Sequence, residues 1–453
     1  MKHTEALLKA EKFQQKMEKI AQNDYWRPQY HIAAPANWIN DPNGFCFYKG
    51  EYHLFYQYHP YSSQWGPMHW GHVASKDLAD WEHRPIALAP TDEYDKDGCF
   101  SGSAIENDGK LYLLYTGHVD LDNSNGGNDR IETQCLAVSD DGKHFEKVEN
   151  NPVIKALPEN LNIRTEHFRD PKVWKHGDWY YTVVGVQTKE ESGQVVVYKT
   201  QDLINWEFLN IMATSSVKEN LGFMWECPNF AEVNGHEALI LSPQGVKSEG
   251  NKFLNLHQSG YFLGKMDYNT GIFERENDFE MLDYGFDFYA PQIMQDEKNN
   301  RCLMIAWLDM WESNMPEQEN HWAGMMSIPR VLKVENNMIY SKPADELSKL
   351  HKSKVHHEQI IKEATSFDDV NGDCYQLDID FDLEKAQGFI LKLRVSNTEE
   401  TVISYDKDTK IFKLNRVKSG KGVTGEREAK VNLQDEKIYL QIFSDYSSLE
   451  IFI

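Results

Sequence analysis

Trp38-Ile39-Asn40-Asp41-Pro42-Asn43-Gly44 leads from aromatic and apolar residues into a short polar step that contains proline. Comparable steps recur at Asp170-Pro171, Cys227-Pro228 and Ala290-Pro291, and successive prolines of the four steps are 129, 57 and 63 residues apart. The first interval holds two units of similar length, and Phe100-Ser101-Gly102-Ser103 marks a fifth step that lacks proline. A repeat much longer than a strand pair predicts radially arranged small sheets, a five-bladed β-propeller.

The stretches between these steps have the pattern of β-strands. Runs rich in β-branched and aromatic residues follow turn residues, which is typical of strands. Such runs occupy residues 51–56, 109–115 and 179–184. A propeller gathers the equivalent strand of every unit around one axis, so five units bring Asp41, Asp170 and Glu226 close together.

Residues 1–24 predict an amphipathic helix. Apolar positions recur every three or four residues among Lys, Glu and Gln, which places them on one face. We expect this face to pack on the body of the protein. A helix on a membrane surface is the alternative, although the mixed charge of the polar face disfavours it. The apolar positions are Leu7, Ala10, Phe13, Met17 and Ile20.

The rest of the chain divides into three parts, and the predicted fold class is all-β. Residues 25–345 hold the aromatic-rich repeats of the five-bladed propeller, and residues 346–366 form a charged linker. Residues 367–453 alternate strand-like runs and turns, which predicts a β-sandwich. Because the chain stops within the strand-like run 448–453, we expect the sandwich to be incomplete at its C-terminal end, with an open edge.

Charge and cysteine usage narrow the classes of function. Lys and Arg number 47 against 71 Asp and Glu, a net charge of −24 that argues against nucleic acid or a membrane as a partner. The six cysteines are dispersed, which fits neither a zinc site nor a small disulfide scaffold. Without an apolar leader or a run of about 18 apolar residues, the sequence predicts a cytoplasmic protein. We expect neither a metal ion nor a cofactor, and the oligomeric state stays open.

Three carboxylates, Asp41, Asp170 and Glu226, occupy or adjoin the polar steps. Taken singly, each Asp-Pro pair is better explained as a turn in which the aspartate caps the backbone. Equivalent placement in several units favours chemistry, because two facing carboxylates are the minimum needed to break a glycosidic bond. Neighbouring aromatic and guanidinium groups, notably Trp38 and Arg169, suit a hydroxyl-rich ring.

Three other motifs are weak. Residues 420–425 formally satisfy Gly-x-Gly-x-x-Gly, but no βαβ unit surrounds them, so we interpret them as a loop. Residues 120–124 resemble the start of a calcium loop whose later ligands fall out of register. His69 and His72 lack a nearby third ligand in the sequence, which favours polar or core roles on a strand over metal binding.

Together the polar steps resemble the signature motifs of glycoside hydrolase family 32, the invertases and fructanases. The matching stretches are 38–44, 100–103, 168–171 and 226–228. The resemblance runs from about residue 26 to residue 453 and is closest to bacterial sucrose-6-phosphate hydrolases. It implies a propeller followed by a sandwich, with Asp41 as nucleophile, Glu226 as acid/base and Asp170 as transition-state stabiliser.

The resemblance also implies which residues bind the fructose. Arg169 is expected in addition to favour the ionised form of Asp170. From the residues alone, Trp65 fits a sugar subsite and a propeller core equally well. The implied substrate-binding residues are Trp38, Asn40, Gln57, Trp65, Phe100, Ser101, Arg169 and Tyr289.

The implied reaction is hydrolysis of the fructofuranosyl bond of sucrose-6-phosphate or sucrose with retention of configuration. Retention requires the carboxyl groups of Asp41 and Glu226 to lie about 5 to 5.5 Å apart. A phosphate needs donors near the glucose, and the candidates are Lys247 and Lys252 in the loop 243–252, with solvated lysines as the competing interpretation. The alternative functions are a fructan hydrolase, an inverting five-bladed glycosidase acting on pentose polymers, and an inert carbohydrate-binding propeller.

Overall fold

The computed structural model describes residues 2–121, 129–215, 218–433 and 435–453. Antiparallel β-sheets dominate these residues, which confirms the prediction of a mostly β fold. The possible start of a calcium loop at 120–124 falls largely outside the described residues. Within the described ranges, no helix is long and apolar enough to cross a membrane.

The chain begins with one α-helix, α1 (His3–Ala21), where the sequence predicts a helix. Its apolar face packs as expected at Ala10, which is buried, and at Met17, which lies against a buried cluster. The expectation was wrong at Ile20, which is 46% exposed. Successive residues of an α-helix are about 100° apart, so Ile20 lies at the edge of the stripe and Ala21 takes the buried position in that turn.

Five sheets follow one another along residues 37–343. The first comprises β1 (Asn37–Tyr48), β2 (Glu51–His59), β3 (His69–Ser75) and β4 (Glu82–His83), and the second β5 (Gly98–Asn107), β6 (Lys110–Asp120), β7 (Arg130–Ser139) and β8 (Glu146–Lys147). The third comprises β9 (Ile163–His176), β10 (Trp179–Thr188), β11 (Gly193–Thr200) and β12 (Glu207–Thr214). The fourth comprises β13 (Met224–Val233), β14 (His236–Gln244), β15 (Gly260–Asp267), β16 (Ile272–Arg275) and β17 (Glu280–Met281). The fifth comprises β18 (Tyr289–Asp296), β19 (Arg301–Trp307), β21 (Arg330–Glu335) and β22 (Met338–Pro343). The short β20 (Trp322–Ala323) lies between β19 and β21 in the chain but belongs to the first sheet.

The first strands of the five sheets form a closed ring. Strand β1 contacts β5, β5 contacts β9, β9 contacts β13, β13 contacts β18, and β18 contacts β1. Strand β20 also pairs in parallel with β1, which joins the end of this region to the first sheet. Apolar side chains fill the space between neighbouring sheets, as Val183, Leu239 and Phe262 do between the third and the fourth.

Each strand of the ring is irregular at its polar step. The pairing register shifts at this point in all five strands. Asp170, Cys227 and Ala290 take φ angles of 67°, 45° and 49°, a left-handed backbone conformation that is uncommon outside glycine and costs energy. Such irregularities bend a strand and redirect its side chains. The polar steps therefore set where the side chains at the start of each ring strand point.

Two further sheets lie after residue 374. Their strands are β23 (Tyr375–Asp382), β24 (Gly388–Leu393), β25 (Glu400–Asp406), β26 (Ile411–Lys418), β27 (Glu426–Lys430), β28 (Lys437–Asp445) and β29 (Ser448–Phe452). Strands β24 to β27 form one sheet in chain order, while β23, β28 and β29 form the other. Both sheets contribute to one apolar cluster, which includes Ile403 and Leu440.

A buried charged network joins these sheets to the rest of the protein. His31 contacts Asp445 at 2.8 Å through Nδ1 and Glu450 at 3.0 Å through Nε2. Arg330 of β21 donates to Glu450 at 3.1 Å through Nε. Burial lowers the pKa of His31, but the two carboxylates outweigh this effect and raise the pKa to about 9. The network therefore holds positive charges against carboxylates of β28 and β29.

Candidate active site

A cavity of about 770 Å³ lies against ring strands β1, β5, β9 and β13. It is lined by nine of the eleven residues that the sequence assigns to the site. The other two lie directly behind the lining: Trp38 Nε1 donates to Asn40 at 2.7 Å, and Tyr289 OH donates to Glu226 at 2.6 Å. The nine lining residues are Asn40, Asp41, Gln57, Trp65, Phe100, Ser101, Arg169, Asp170 and Glu226.

Asp41 is buried in the wall of the cavity. Its Oδ2 accepts hydrogen bonds from Ser101 Oγ at 2.9 Å and from Cys227 Sγ at 3.4 Å, whereas its buried Oδ1 has no hydrogen-bond partner among the described residues. Burial, and after it the charge of Glu226, raises the pKa of Asp41 to about 6. One carboxylate oxygen is thus fixed in place and the other is uncommitted.

Asp170 lies on β9 and is fixed mainly through the backbone. Its Oδ2 accepts a hydrogen bond from Cys227 N at 2.9 Å, and its own N–H donates to Thr116 Oγ1 at 2.9 Å. Burial raises the pKa of Asp170 well above its usual range, and Glu226 adds to the rise, while the charge of Arg169 offsets only part of it. Arg169 therefore acts on Asp170 in the predicted direction, although its Nε is 4.0 Å from Asp170 Oδ2, too far for a hydrogen bond.

Glu226 is the most accessible of the three carboxylates, with 15% of its side chain exposed. Arg169 donates to its Oε1 through Nε at 3.1 Å and through Nη2 at 2.9 Å. Tyr289 OH donates to the other oxygen, Oε2. Arg169 and Tyr289 therefore hold both oxygens of Glu226, and the closest carboxylate partner of Arg169 is Glu226 rather than Asp170.

Glu226 reaches the cavity because the third and fourth sheets approach each other closely. A Cβ atom built at Gly185 of β10 would lie 2.1 Å from Trp225 O, the carbonyl that precedes Glu226. Only glycine leaves room for the backbone at this contact. Gly185 also pairs with Arg169, so one glycine brings the arginine and the glutamate together.

Sequence reasoning missed Glu132, which anchors Arg169 from behind. Glu132 Oε2 accepts from Phe168 N at 2.9 Å and lies 3.3 Å from Arg169 Nη1. Burial alone would raise its pKa, but Arg169 and then His118 hold the pKa of Glu132 at about 2. The local sequence gives little signal for this role, because Glu132 lies in the polar stretch 132–134, just before the apolar run 135–138.

Aromatic side chains form one side of the cavity. Trp65 lines it and is 48% exposed, so the interpretation of Trp65 as a core residue was wrong. Its ring meets Phe100 edge to face, with ring centroids 6.2 Å apart, and Phe100 stacks on His118 at 3.9 Å. Trp311 also lines the cavity. Exposed aromatic faces of this kind suit the apolar faces of sugar rings.

The basic residues of the cavity are not those of the predicted phosphate loop. Lys247 is exposed and is not among the lining residues, while Lys252 is paired with Glu280 at 3.2 Å. Arg130, Arg164 and Arg169 line the cavity instead. Arg130 and Arg164 belong to no motif in the sequence, and only the arrangement of the sheets brings them here.

The two histidines that lack a third ligand in the sequence are polar groups packed on strands. His72 Nε2 lies 3.0 Å from Nδ1 of the buried His53, and His69 Nδ1 donates to Pro67 O at 3.1 Å. The part of the chain that the structure describes contains no cluster of three or more His, Cys, Asp or Glu placed to hold a metal ion. Residues 420–425 lie in the loop between β26 and β27, as interpreted from the sequence.

Comparison with known proteins gives the same assignment as the motifs. The models of the glycosyl hydrolases family 32 N-terminal domain and of the family 32 C-terminal region match residues 31–343 and 346–453. The chain belongs to glycosyl hydrolase family 32. It is a glycoside hydrolase of the β-fructofuranosidase type, and the resemblance seen in the sequence is confirmed.

Relatives from this family cover nearly the whole chain. A sucrose-6-phosphate hydrolase of Zymomonas mobilis is 41% identical, over 99% of this chain and 88% of its own length. A raffinose invertase of Escherichia coli is 37% identical, over 97% of this chain and 90% of its own length. A Bombyx mori β-fructofuranosidase mutant solved with sucrose superposes with a TM-score of 0.83 at 37% identity, covering 99% of this chain and 90% of that one.

Proposed function

We propose that this family 32 enzyme hydrolyses the fructofuranosyl bond of sucrose-6-phosphate or sucrose by two displacements at the anomeric carbon of fructose. The main support is the convergence of Asp41, Asp170 and Glu226, from three strands of one ring, on a single cavity. The three carboxyl groups have different surroundings, so the same chemical group can serve as nucleophile, as acid/base and as transition-state stabiliser. The names of the relatives, which include sucrose-6-phosphate hydrolases and an invertase, support the choice of substrate.

In the first displacement Asp41 is the nucleophile. An oxygen of its carboxylate attacks C2 of the fructosyl unit, and the bond from C2 to the bridging oxygen breaks. Glu226 gives its proton to that oxygen, so glucose or glucose-6-phosphate leaves with a new hydroxyl. The uncommitted Oδ1 of Asp41 supports this role, because bond formation there breaks no existing hydrogen bond.

In the second displacement Glu226 acts as the base. It takes a proton from water, and the water oxygen attacks C2 of the fructosyl ester on Asp41. The ester bond breaks, Asp41 returns as a carboxylate, and fructose leaves with its original configuration. The contacts of Glu226 with Arg169 and Tyr289 support a role that requires one carboxyl group to stay oriented through both steps.

Asp170 stabilises the transition state without forming a bond to the sugar. Its carboxylate lies beside the developing positive charge at C2 and accepts hydrogen bonds from fructose hydroxyls. The charge of Arg169, and after it the hydrogen bond from Cys227 N, favours its ionised form and offsets part of the rise in pKa that burial and Glu226 cause. The same proposal assigns Trp38, Asn40, Gln57, Trp65, Phe100, Ser101, Arg169 and Tyr289 to the fructose site, directly or from behind.

The proposed architecture is a five-bladed propeller at 25–345, a linker at 346–366 and a sandwich at 367–453, after the helix within 1–24. The five sheets with their ring of first strands support the propeller, and the two sheets around one apolar cluster support the sandwich. The two family models meet between residues 343 and 346, which supports a boundary there. We place the enzyme in the cytoplasm, where a phosphorylated disaccharide would arrive by uptake coupled to phosphorylation.

The deciding measurement is fructose release by the purified protein from sucrose and from sucrose-6-phosphate, with Asp41→Asn as the inactive control. The proposal requires release from at least one of them, and the first-formed fructose must have the configuration of the substrate, which NMR reads before mutarotation. Inverted fructose would overturn the mechanism. Release from inulin alone would favour the fructan hydrolase, and no release from any substrate would favour the inert binding protein.

A further inference from the structure

We infer that Arg130 and Arg164 bind the phosphate of a phosphorylated disaccharide in the outer part of the cavity. The inference rests on the proposed function, because the fructosyl end of the same substrate must lie at the three carboxylates. It replaces the predicted lysines of the loop 243–252, since Lys247 is exposed outside the cavity lining.

Arg130 lies on the same face of β7 as Glu132, two residues nearer the start of the strand. Glu132 contacts Arg169 at the fructose end of the cavity. Two residues of a strand span about 7 Å, so Arg130 is that much farther out along the wall. Arg130 is also close enough to act on His167, whose pKa is lowered to about 4 by burial, then by Arg169, with a smaller contribution from Arg130.

Arg164 lies on β9 in the neighbouring sheet, five residues before Arg169. It lies at the N-terminal end of β9, next to the pair of Ile163 and Thr188, and faces the turn between β10 and β11 that carries Glu191. Strand β7 contacts β9, so the two arginines belong to adjoining walls. In the substrate of the proposed function the phosphate is carried by the glucosyl group, on the opposite side of the bond that breaks from the fructose, so its site must lie away from the three carboxylates.

Both guanidinium groups have only weak carboxylate partners. Nη1 of Arg130 is 3.9 Å from Glu132 Oε1, longer than a hydrogen bond, and Glu132 is already held by Phe168 N and Arg169. Nη2 of Arg164 is 3.3 Å from Glu191, a side chain that is 67% exposed. The buried Nε of Arg164 has no hydrogen-bond partner among the described residues. A phosphate, with three acceptor oxygens, suits such donors in forked geometry.

The rest of the outer wall is acidic, so the binding of a phosphate there depends on the two arginines. Asp120, Asp129, Glu166 and Glu191 line the same part of the cavity. These carboxylates repel a phosphate, so binding depends on the two cations, and removal of either one leaves repulsion unbalanced. The acidic groups also compete for the arginines, Glu191 most directly. Neutralising Glu191 should therefore act in the opposite direction to neutralising Arg164.

The test compares kcat/KM for sucrose-6-phosphate and for sucrose in matched variants. We expect Arg130→Gln and Arg164→Gln each to lower the ratio of the two values by about tenfold or more, as loss of a charge-assisted hydrogen bond predicts. Glu191→Gln should raise the ratio. Arg275→Gln is the control, because Arg275 is also partly exposed and paired with a glutamate but is not among the lining residues. Its ratio should match that of the wild type.

Binding to the inactive Asp41→Asn protein separates this inference from the proposed function. Titration calorimetry should give a lower Kd for sucrose-6-phosphate than for sucrose, and addition of Arg164→Gln should remove the difference. If the wild type releases no fructose from either sugar, the proposed function fails. If it releases fructose but the arginine variants keep the wild-type ratio, or Lys247→Ala lowers the ratio in their place, only the phosphate site is overturned.

Discussion

At the scale of single residues, burial of Asp41 favours its neutral form, whereas its proposed role as nucleophile requires the ionised form. A nucleophile must be ionised, yet burial and the charge of Glu226 raise the pKa of Asp41 to about 6. The side chains of Asn40 and then of Ser101 favour the carboxylate and partly offset this rise in the pKa. The same carboxyl group should therefore govern both the acid side of the activity profile and a part of the stability of the fold.

We expect kcat/KM to fall as the pH drops through about 6, because protonated Asp41 cannot attack. Ser101→Ala removes a hydrogen bond to the carboxylate, so this acid limb should move up by about one pH unit. The measurement is the pH profile of kcat/KM for sucrose. Ser75→Ala is the control, since Ser75 is a buried serine that donates to Asp77 away from the cavity. An unmoved limb in Ser101→Ala would show that another group sets it.

Asp41→Asn should stabilise the protein at neutral pH while abolishing activity. A carboxyl whose pKa is raised from 3.8 to about 6 makes the folded state less stable as pH rises through this range. Removing the charge should raise the free energy of unfolding by up to about 3 kcal/mol at pH 7 and by little at pH 4. Urea denaturation at both pH values measures it.

Asp77→Asn is the matched control for this stability measurement. Burial raises the pKa of Asp77, but hydrogen bonds from Asp80 N and Lys349 outweigh this effect and lower it. Its ionised form therefore stabilises the fold, and its amide variant should be less stable than the wild type at pH 7. The same sign for both variants would contradict the assignment.

At the scale of elements, a belt of buried polar side chains lies at the end of the polar steps or directly after them. We call these residues the polar belt: Asn43, Ser103, Lys172, Asn229 and Gln292. Each bonds to another ring strand: Ser103 Oγ donates to Pro171 O of the adjoining β9 at 2.7 Å, whereas Lys172 Nζ donates to Gln292 of β18, across the ring, at 2.9 Å. The belt therefore holds the irregular ring strands in register beneath the carboxylates.

Asn229→Ala should lower both stability and kcat. Asn229 Nδ2 donates to Cys227 O at 3.0 Å and to Pro291 O at 2.9 Å, and its loss leaves buried carbonyl groups unpaired. We expect a loss of about 2 kcal/mol in the free energy of unfolding and a fall in kcat, because Glu226 and Cys227 lie on the released backbone. Denaturation and steady-state kinetics measure the two effects.

Asn234→Gly is the matched control for the polar belt. Asn234 also bonds across sheets, to Val334, but it lies in the turn just after β13, and its φ of 37° suits glycine. Its variant should lose stability with kcat unchanged. If Asn229→Ala lost stability but kept its kcat, the belt would be a purely structural feature.

At the scale of the whole molecule, the C-terminal sheets depend on the buried network around His31. Asp445 accepts hydrogen bonds from the backbone N–H groups of Gln29 and Tyr30, at 2.7 and 3.1 Å, as well as from the His31 ring. Burial raises the pKa of Asp445, but His31 outweighs this effect and holds it at about 2. Segments more than 400 residues apart in the chain are thus joined by charge.

His31→Gln should destabilise the protein most at mildly acidic pH. The pKa of His31 is raised to about 9, so its contribution is fully present below about pH 6.5 and is lost as pH rises through about 9. We expect a deficit on the order of 3 kcal/mol at pH 6, shrinking toward pH 10, measured by urea denaturation across this range. His356→Gln, at an exposed histidine, should show no such trend. A deficit that did not vary with pH would mean that His31 contributes through packing alone.

Local sequence signals were enough to predict the mostly β fold, the N-terminal helix and the polar steps, and to identify the family. Strand propensity, turn residues and proline act over a few neighbours, so Asp41, Asp170 and Glu226 could be named without coordinates. The contacts of Arg169 with Glu132 and Glu226, and the presence of Arg130 and Arg164 in the cavity wall, were decided only by tertiary structure. The reason is physical: which side chains from different sheets meet depends on bulges, sheet twist and close approaches such as Gly185 to Trp225, which no local pattern encodes.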